Sequence, residues 1–103
     1  MSQHEFASHY QDRPVIVQIG WDPPLRRYFM TVTRARADGH IGAAIYSNLS
    51  DPELDGGASD PAHFWKKLAA LGIECQLQSE IDEALRSDAA SNVGNRIVRY
   101  GPD

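Results

Sequence analysis

The acidic segment at residues 51–56 has the spacing with which a calcium-binding loop begins. Carboxylates occupy its first, third and fifth positions, and a glycine occupies the sixth, where such a loop turns sharply. The complete loop also needs a bidentate glutamate at its twelfth position, but the residue at that position is Ala62. We therefore predict that this segment is a solvated acidic loop without a bound metal, and that Asp60 near its end caps a helix.

Residue types that serve in catalysis are present, but their spacing matches no catalytic arrangement. The four histidines form no His-x-x-x-His pair, and His4 and His9 are five residues apart, which is the wrong spacing for one helix face. The single cysteine, Cys75, excludes an internal disulfide and a cysteine-based zinc cluster. The chain also lacks a Gly-x-Ser-x-Gly elbow and a glycine-rich phosphate-binding loop. We therefore predict no enzymatic activity, no metal and no cofactor.

A cluster of arginines and aromatic residues within residues 26–36 has the composition of a nucleic-acid-binding strand. Arginines neutralise phosphates, and aromatic rings stack on the bases of single strands. Arginines at strand ends also keep a sheet edge soluble, and this simpler explanation needs no ligand. The net charge of −4 and the isoelectric point near 5.4 argue against nonspecific binding to nucleic acid.

The number of aromatic side chains exceeds what a small core obviously requires. Phe64 and Trp65 are neighbours on a predicted helix, about 100° apart, so they are not both expected to face the centre of the core. An aromatic ring exposed beside arginines is typical of a protein-binding hot spot. We therefore predict a non-enzymatic protein-interaction module. The candidate interaction surface consists of Arg26, Arg27, Tyr28, Phe29, Arg34, Arg36 and Phe64.

Three hypotheses about the ligand stay open at the level of the sequence. The first is a protein partner, and a second copy of the chain in a homodimer is one form that this partner can take. The second is nucleic acid bound by the arginine and aromatic strand. The third is an enzyme or small-ligand protein that uses the acidic loop and His63.

An antiparallel meander of three predicted strands carries the arginine and aromatic cluster. Apolar residues alternate along residues 15–21, and residues 22–25, with two consecutive prolines, then turn the chain. β-branched and aromatic residues dominate residues 27–36, which the pattern predicts as a central second strand. An Asp-Gly turn precedes a short third strand at residues 43–47.

Two helices and a last strand are predicted in the second half of the chain. Residues 60–71 form the first helix, because an Asp-Pro pair starts it and Gly72 can end it in the left-handed conformation. The second helix begins at Ser79, and Asp82 three residues on resembles the partner residue of a capping box. Residues 96–100 predict a short strand that returns to a sheet edge.

These elements predict an α+β fold: a three- or four-stranded antiparallel sheet, in the order βββααβ, with two helices packed on one face. Residues 1–13 are polar and predict a flexible N-terminal tail, and residues 14–103 predict a single α+β domain. The predicted core consists of Val15, Val17, Ile19, Tyr28, Met30, Val32, Ile45, Trp65, Leu68, Leu71 and Ile81.

The composition is that of an ordinary soluble domain, with 42% hydrophobic and 23% charged residues. The N-terminus lacks the apolar centre of a signal peptide, and the apolar runs are far shorter than a membrane span. We therefore expect a cytoplasmic protein without membrane contact.

The segment at residues 19–25, followed by Tyr28 and Phe29, resembles a pattern in small uncharacterised bacterial proteins that are associated with plasmids and other mobile elements. In that pattern Gly, Trp or Tyr, Asp, Pro and Leu precede an aromatic pair. The resemblance implies a bacterial, intracellular accessory protein and implies no activity. Small acidic inhibitors carried by mobile elements, including anti-CRISPR proteins, are similar in size and charge, which makes an inhibitor a further alternative.

Overall fold

The computed structural model describes residues 2–35, 41–54, 56–92 and 94–100. Within these residues, five strands form one sheet and two α-helices pack against it. The spatial order of the strands is β4-β3-β2-β1-β5, and the α+β prediction is confirmed. The strands are β1 (Ser2–Tyr10), β2 (Arg13–Asp22), β3 (Arg27–Ala35), β4 (Ile41–Ser47) and β5 (Arg96–Tyr100), and the helices are α1 (Ala62–Leu71) and α2 (Gln78–Ala90).

The predicted meander forms β2, β3 and β4, which are antiparallel neighbours. Because the apolar residues alternate, they reach one face of the sheet, where Val17 lies opposite Val32 and Ile19 opposite Met30. All four are fully buried in the core that this face forms with α1 and α2. Phe29 belongs to the opposite face, which carries neither of the two described helices and which we refer to as the uncovered face.

The N-terminal tail predicted at residues 1–13 is mostly strand in the structure, which corrects that prediction. β1 pairs antiparallel with β2 and parallel with β5. Gln11 and Asp12 form the turn with φ angles of 52° and 64°, a conformation for which hairpins usually select Asn-Gly. The inward positions of β1 include Ser2 and His4, which are fully buried, so the strand has no apolar alternation at its start.

The predicted three- or four-stranded antiparallel sheet is in fact a five-stranded sheet with one parallel pair. β1 is the strand that the sequence did not predict. β5 lies at an edge, as predicted, but it runs parallel to β1 because the two helices carry the chain across the sheet from β4 at the other edge.

The C-terminal end of α1 is as predicted, whereas the helix begins at Ala62, two residues later than predicted, with Pro61 at the N-cap position. The Asp60 carboxylate accepts a hydrogen bond from the backbone amide two residues on at 2.8 Å, and Gly72 ends the helix with a left-handed φ of 74°. α2 starts one residue earlier than predicted, at Gln78, and has no side-chain cap. The capping box does not form because Ser79 lies inside the helix, and the Asp82 carboxylate accepts a hydrogen bond from the Trp65 indole at 2.8 Å.

Phe64 and Trp65 are both buried, with 0% and 8% exposure, so the prediction that one of them is exposed is wrong. The reason is that α1 packs on the sheet and on α2 at the same time, which covers two neighbouring sides of the helix. The other predicted core residues are buried as well, except Ile45 and Leu71, which are partly buried at its margin.

Candidate functional site

The structure divides the predicted interaction surface. Arg26 and Arg27 are exposed at the turn between β2 and β3, and Phe29 is half-buried on the uncovered face. Arg34 lies on the helix-covered face, seven residues further along β3 and about 23 Å from Arg27 at the usual rise of a strand. Arg36 lies outside the described residues.

Two aromatic members of that surface belong to the core. Tyr28 is 5% exposed and packs edge-on against Trp21, with ring centroids 5.0 Å apart. Burial raises the pKa of the Tyr28 hydroxyl. Phe64 is fully buried. Because both rings are buried, Phe29 is the most exposed aromatic residue of the predicted set.

An apolar groove of about 220 Å³ lies where β3 begins, and it brings together several of the remaining residues. Leu25 and Leu49 line it, and they are the most exposed large apolar side chains of the described residues, at 64% and 77%. The lining also includes Arg27, Phe29, Gly56 and Gly57. We refer to this cavity as the Leu25–Leu49 groove. The sequence did not predict the two leucines, because isolated residues in turns belong to no apolar period.

Two glycines allow close contacts around this groove. Phe29 lies across the sheet from Gly20, and a Cβ at that position would be 2.6 Å from the Phe29 ring. A Cβ at Gly57 would be 2.7 Å from the Cβ of Arg27, and Gly57 has a φ of 91°. Glycine is therefore required at both places for the ring and the loop to pack directly on the strands.

Backbone contacts to β3 hold the loop after β4, which contributes Leu49, Gly56 and Gly57 to the lining of the groove. Ala58 and Tyr28 exchange two backbone hydrogen bonds, at 2.8 and 2.9 Å. The buried Asn48 side chain accepts a hydrogen bond from the Met30 amide at 3.1 Å and thereby takes the place of a strand partner. These contacts fix the loop on either side of Leu49, which itself remains outside the core.

Side-chain contacts also link this loop to β4 and to α1. The Asp51 carboxylate accepts a hydrogen bond from the Tyr46 hydroxyl at 2.7 Å and lies 3.1 Å from Lys67 Nζ. These contacts, the Tyr46 hydrogen bond first, lower the pKa of Asp51, whereas burial raises the pKa of Tyr46. The ion pairs of this region therefore involve Lys67, while Arg26 and Arg27 form none within the described residues.

The calcium-like spacing of the acidic loop does not produce a cluster of ligands in the part of the chain that the structure describes. Asp51 is already engaged as above, and Asp55 lies outside the described residues. No group of three or more histidine, cysteine, aspartate or glutamate side chains comes together among the residues described. His63 is exposed on α1.

A buried polar network joins β1, α2 and β5 near the edge of the sheet that lies opposite β4. His4 on β1 is fully buried, and its Nε2 lies 2.7 Å from an Asp88 carboxylate oxygen on α2. Its Nδ1 lies 2.8 Å from the Tyr100 hydroxyl on β5. Arg96 approaches the second oxygen of Asp88 at 3.5 Å. The sequence did not predict this His4–Asp88–Tyr100 network, because its members lie far apart in the chain.

The chemistry of this network favours a structural role. The Asp88 carboxylate can accept a proton of His4 Nε2, and the imidazole tautomer that carries this proton leaves Nδ1 to accept the Tyr100 hydroxyl. Such a relay could activate a tyrosine, but burial raises the pKa of Tyr100, which opposes formation of a phenolate. His4 and Asp88 are also shielded from solvent, with 0% and 1% exposure, so a substrate does not reach them.

No protein-family model, curated protein or solved structure matches this chain. The fold and the groove are therefore interpreted from the residues themselves. In the described ranges, neither helix has the length and apolar character needed to cross a bilayer.

Proposed function

We propose that this protein is a non-enzymatic binding module that holds an apolar side chain of a partner protein in the Leu25–Leu49 groove. One observation carries the proposal: two large aliphatic side chains, 64% and 77% exposed, line a single cavity together with an aromatic ring. Fully burying a leucine is worth about 1.5–3 kcal/mol. A partner that covers both leucines therefore gains free energy that folding of the chain alone does not use.

The arginines beside the groove indicate the charge of the partner. Arg27 lines the groove, and Arg26 precedes it on the same turn. Neither forms an ion pair within the described residues, although Asp22 lies opposite Arg27 in the register of β2 and β3 and also lines the groove. Both arginines can therefore pair with carboxylates that flank the apolar anchor of the partner. Such pairs contribute mainly to the association rate and to specificity, whereas the apolar contact supplies most of the affinity.

The geometry gives less support to nucleic acid as the ligand. A single-strand platform needs several exposed rings along a track of arginines. Tyr28 is buried, and Arg34 lies on the other face of the sheet, away from Arg27. One half-buried ring and two adjacent arginines are a small site for a nucleic-acid strand and a suitable size for one side chain of a protein.

A display library of random 12-residue peptides, selected against the immobilised chain, tests this proposal. We expect the enriched peptides to carry a large apolar residue next to an acidic one. Their affinity, measured by fluorescence polarisation, should fall by about tenfold or more in Leu49→Asp, because the substitution puts a charge into the apolar contact.

The matched control is Ile97→Asp. Ile97 is 60% exposed on β5, at the opposite edge of the sheet from β4, and it does not line the groove. Its substitution should leave the affinity within about twofold. Peptides that bind Leu49→Asp as tightly as the unmodified chain would contradict the groove as the binding site. Salt-dependent binding of a single-stranded oligonucleotide, without any enriched peptide, would replace the proposal with the nucleic-acid alternative.

A further inference from the structure

We infer that the partner binds as an extended segment that adds a sixth strand to the free edge of β4. This inference rests on the proposed function and specifies how the partner enters the site. It predicts backbone hydrogen bonds between the partner and β4, in addition to the apolar contact in the Leu25–Leu49 groove.

The edge of β4 lacks two of the features that usually prevent a strand from pairing with another chain, namely charged side chains and proline. β4 is the last strand on its side of the sheet, and its seven residues include no charged residue and no proline. Ala43 and Ala44 are exposed and small, so their side chains leave room for an approaching backbone. Two register shifts in the pairing with β3 each place one extra residue in β4, one between Tyr46 and Ala44 and one between Ala44 and Ile41, so the free edge offers short stretches for pairing rather than one regular strand.

The other edge of the sheet is built differently. β5 carries Arg96 and Arg99 among its five residues, and both are exposed. Charged side chains on an edge strand oppose the addition of a further strand. The two edges of the same sheet therefore differ in the way expected if β4 alone is kept open for pairing.

A second cavity lies along β4 and could take further side chains of the added segment. It has a volume of about 390 Å³, and its lining includes Ala44, Tyr46 and Pro52. A one-turn 3₁₀ helix, Asn48–Ser50, separates it from the Leu25–Leu49 groove, because residues of this turn line both cavities. In an extended segment, side chains on one face recur about every 6.6 Å, so neighbouring cavities suit residues at alternate positions.

The charges of this chain favour a different protein, rather than a second copy of the chain, as the partner that binds at the edge of β4. Arg26 and Arg27 are exposed and can pair with carboxylates of a partner, whereas Asp51 and Glu53 already contact Lys67. Two copies would also each bring a net charge of −4. We therefore assign the edge to an extended, acidic segment of a partner protein.

Backbone methylation of a peptide selected as described above tests the binding mode without altering the protein. In one version of the peptide the odd-numbered amides are N-methylated, and in the other the even-numbered amides are methylated. A strand added to β4 directs alternate amides toward the edge, so one version should lose at least about tenfold in affinity and the other should bind within about threefold. Hydrogen exchange of the β4 amides should slow in the complex with the unmodified peptide.

The outcomes separate this inference from the proposed function. If both methylated versions bind equally and β4 amides exchange as in the free chain, strand addition is wrong, although a loss in Leu49→Asp still supports the groove. Selected peptides with apolar residues at helical spacing would also overturn the inference. Protection of β4 that grows with concentration of the chain alone, measured together with a dimer in sedimentation, would assign the edge to a second copy and overturn the choice of occupant.

Discussion

Two regions of the molecule, one beside β5 and one where β3 begins, place polar and apolar side chains in opposite ways. Near β5, an imidazole and a carboxylate are buried, with His4 0% and Asp88 1% exposed. Near the start of β3, two leucines are exposed, with Leu25 at 64% and Leu49 at 77%. Each arrangement is unfavourable unless something compensates for it, and the compensating partners differ. The buried polar groups have theirs within the chain, whereas we propose that the exposed leucines find theirs in another protein.

The buried imidazole and carboxylate are satisfied by hydrogen bonds between residues that lie far apart in the chain. His4 joins β1 to α2 through Asp88 and to β5 through Tyr100. A buried pair of this kind adds little net stability compared with apolar residues of the same size, but removal of one partner leaves the other unsatisfied. The network therefore favours the correct docking of β5 and α2 onto β1 and makes alternative packings costly.

The largest effect on stability is expected from Asp88→Ala. The substitution leaves the His4 Nε2–H buried without an acceptor, and we expect a loss of about 3–5 kcal/mol in the free energy of unfolding, measured with urea. Ser87→Ala, at the exposed neighbouring position of α2, is the control and should change stability by less than about 0.5 kcal/mol.

A double substitution sharpens this result. In His4→Leu/Asp88→Leu both polar partners are replaced by apolar groups, so we expect a smaller loss than in Asp88→Ala alone. If the loss in the double variant, relative to the unmodified chain, equalled the sum of the losses in His4→Leu and Asp88→Leu measured separately, the two residues would not act as a pair.

An intermediate effect is expected from a pair of leucines in the groove loop. Leu54 is 9% exposed and Leu49 is 77% exposed, although they are five residues apart in the same loop. Leu54→Ala should cost about 2–5 kcal/mol in the free energy of unfolding, because it leaves a cavity in the core. Leu49→Ala should cost less than about 0.5 kcal/mol and should weaken only the binding of peptides. Equal losses in both variants would mean that Leu49 is needed for folding, which would undermine the contrast drawn above.

The smallest effect is expected from acid acting on Asp60, just before the start of α1. A hydrogen bond from the Ala62 amide, and then the contact with Arg86, lower the pKa of Asp60 from its ordinary value of 3.8. The ionised carboxylate therefore stabilises the fold at pH values above 3.8, and this contribution is lost as the pH falls through the lowered pKa.

Asp60→Asn tests this dependence. The stability difference between the variant and the unmodified chain should be present at neutral pH and should shrink as the pH falls below about 4, when followed by urea denaturation. Asp12→Asn, at the exposed turn between β1 and β2, is the control. A difference for Asp60→Asn that stayed constant down to pH 2.5 would show that the carboxylate charge does not support α1.

Local sequence patterns were sufficient for much of the fold and for little of the site. The meander of β2 to β4 followed from apolar alternation, and α1 followed from its Asp-Pro start and Gly72 end. Of the candidate surface, Arg27 and Phe29 do line the groove. Tyr28 and Phe64 are buried, because the exposure of an aromatic ring depends on which neighbouring elements cover it.

By itself, the sequence determined those features that depend on residues close together in the chain: the α+β class, the antiparallel meander of β2, β3 and β4, and the C-terminal end of the first helix. Tertiary structure alone decided the pairing of β1 with β2 and β5, the burial of Phe64 and the contact of His4 with Asp88, 84 residues away. It also brought Leu25 and Leu49 into one groove. The physical reason is that turns, caps and alternation are local interactions, whereas burial and pairing depend on elements that meet only when the whole chain is packed.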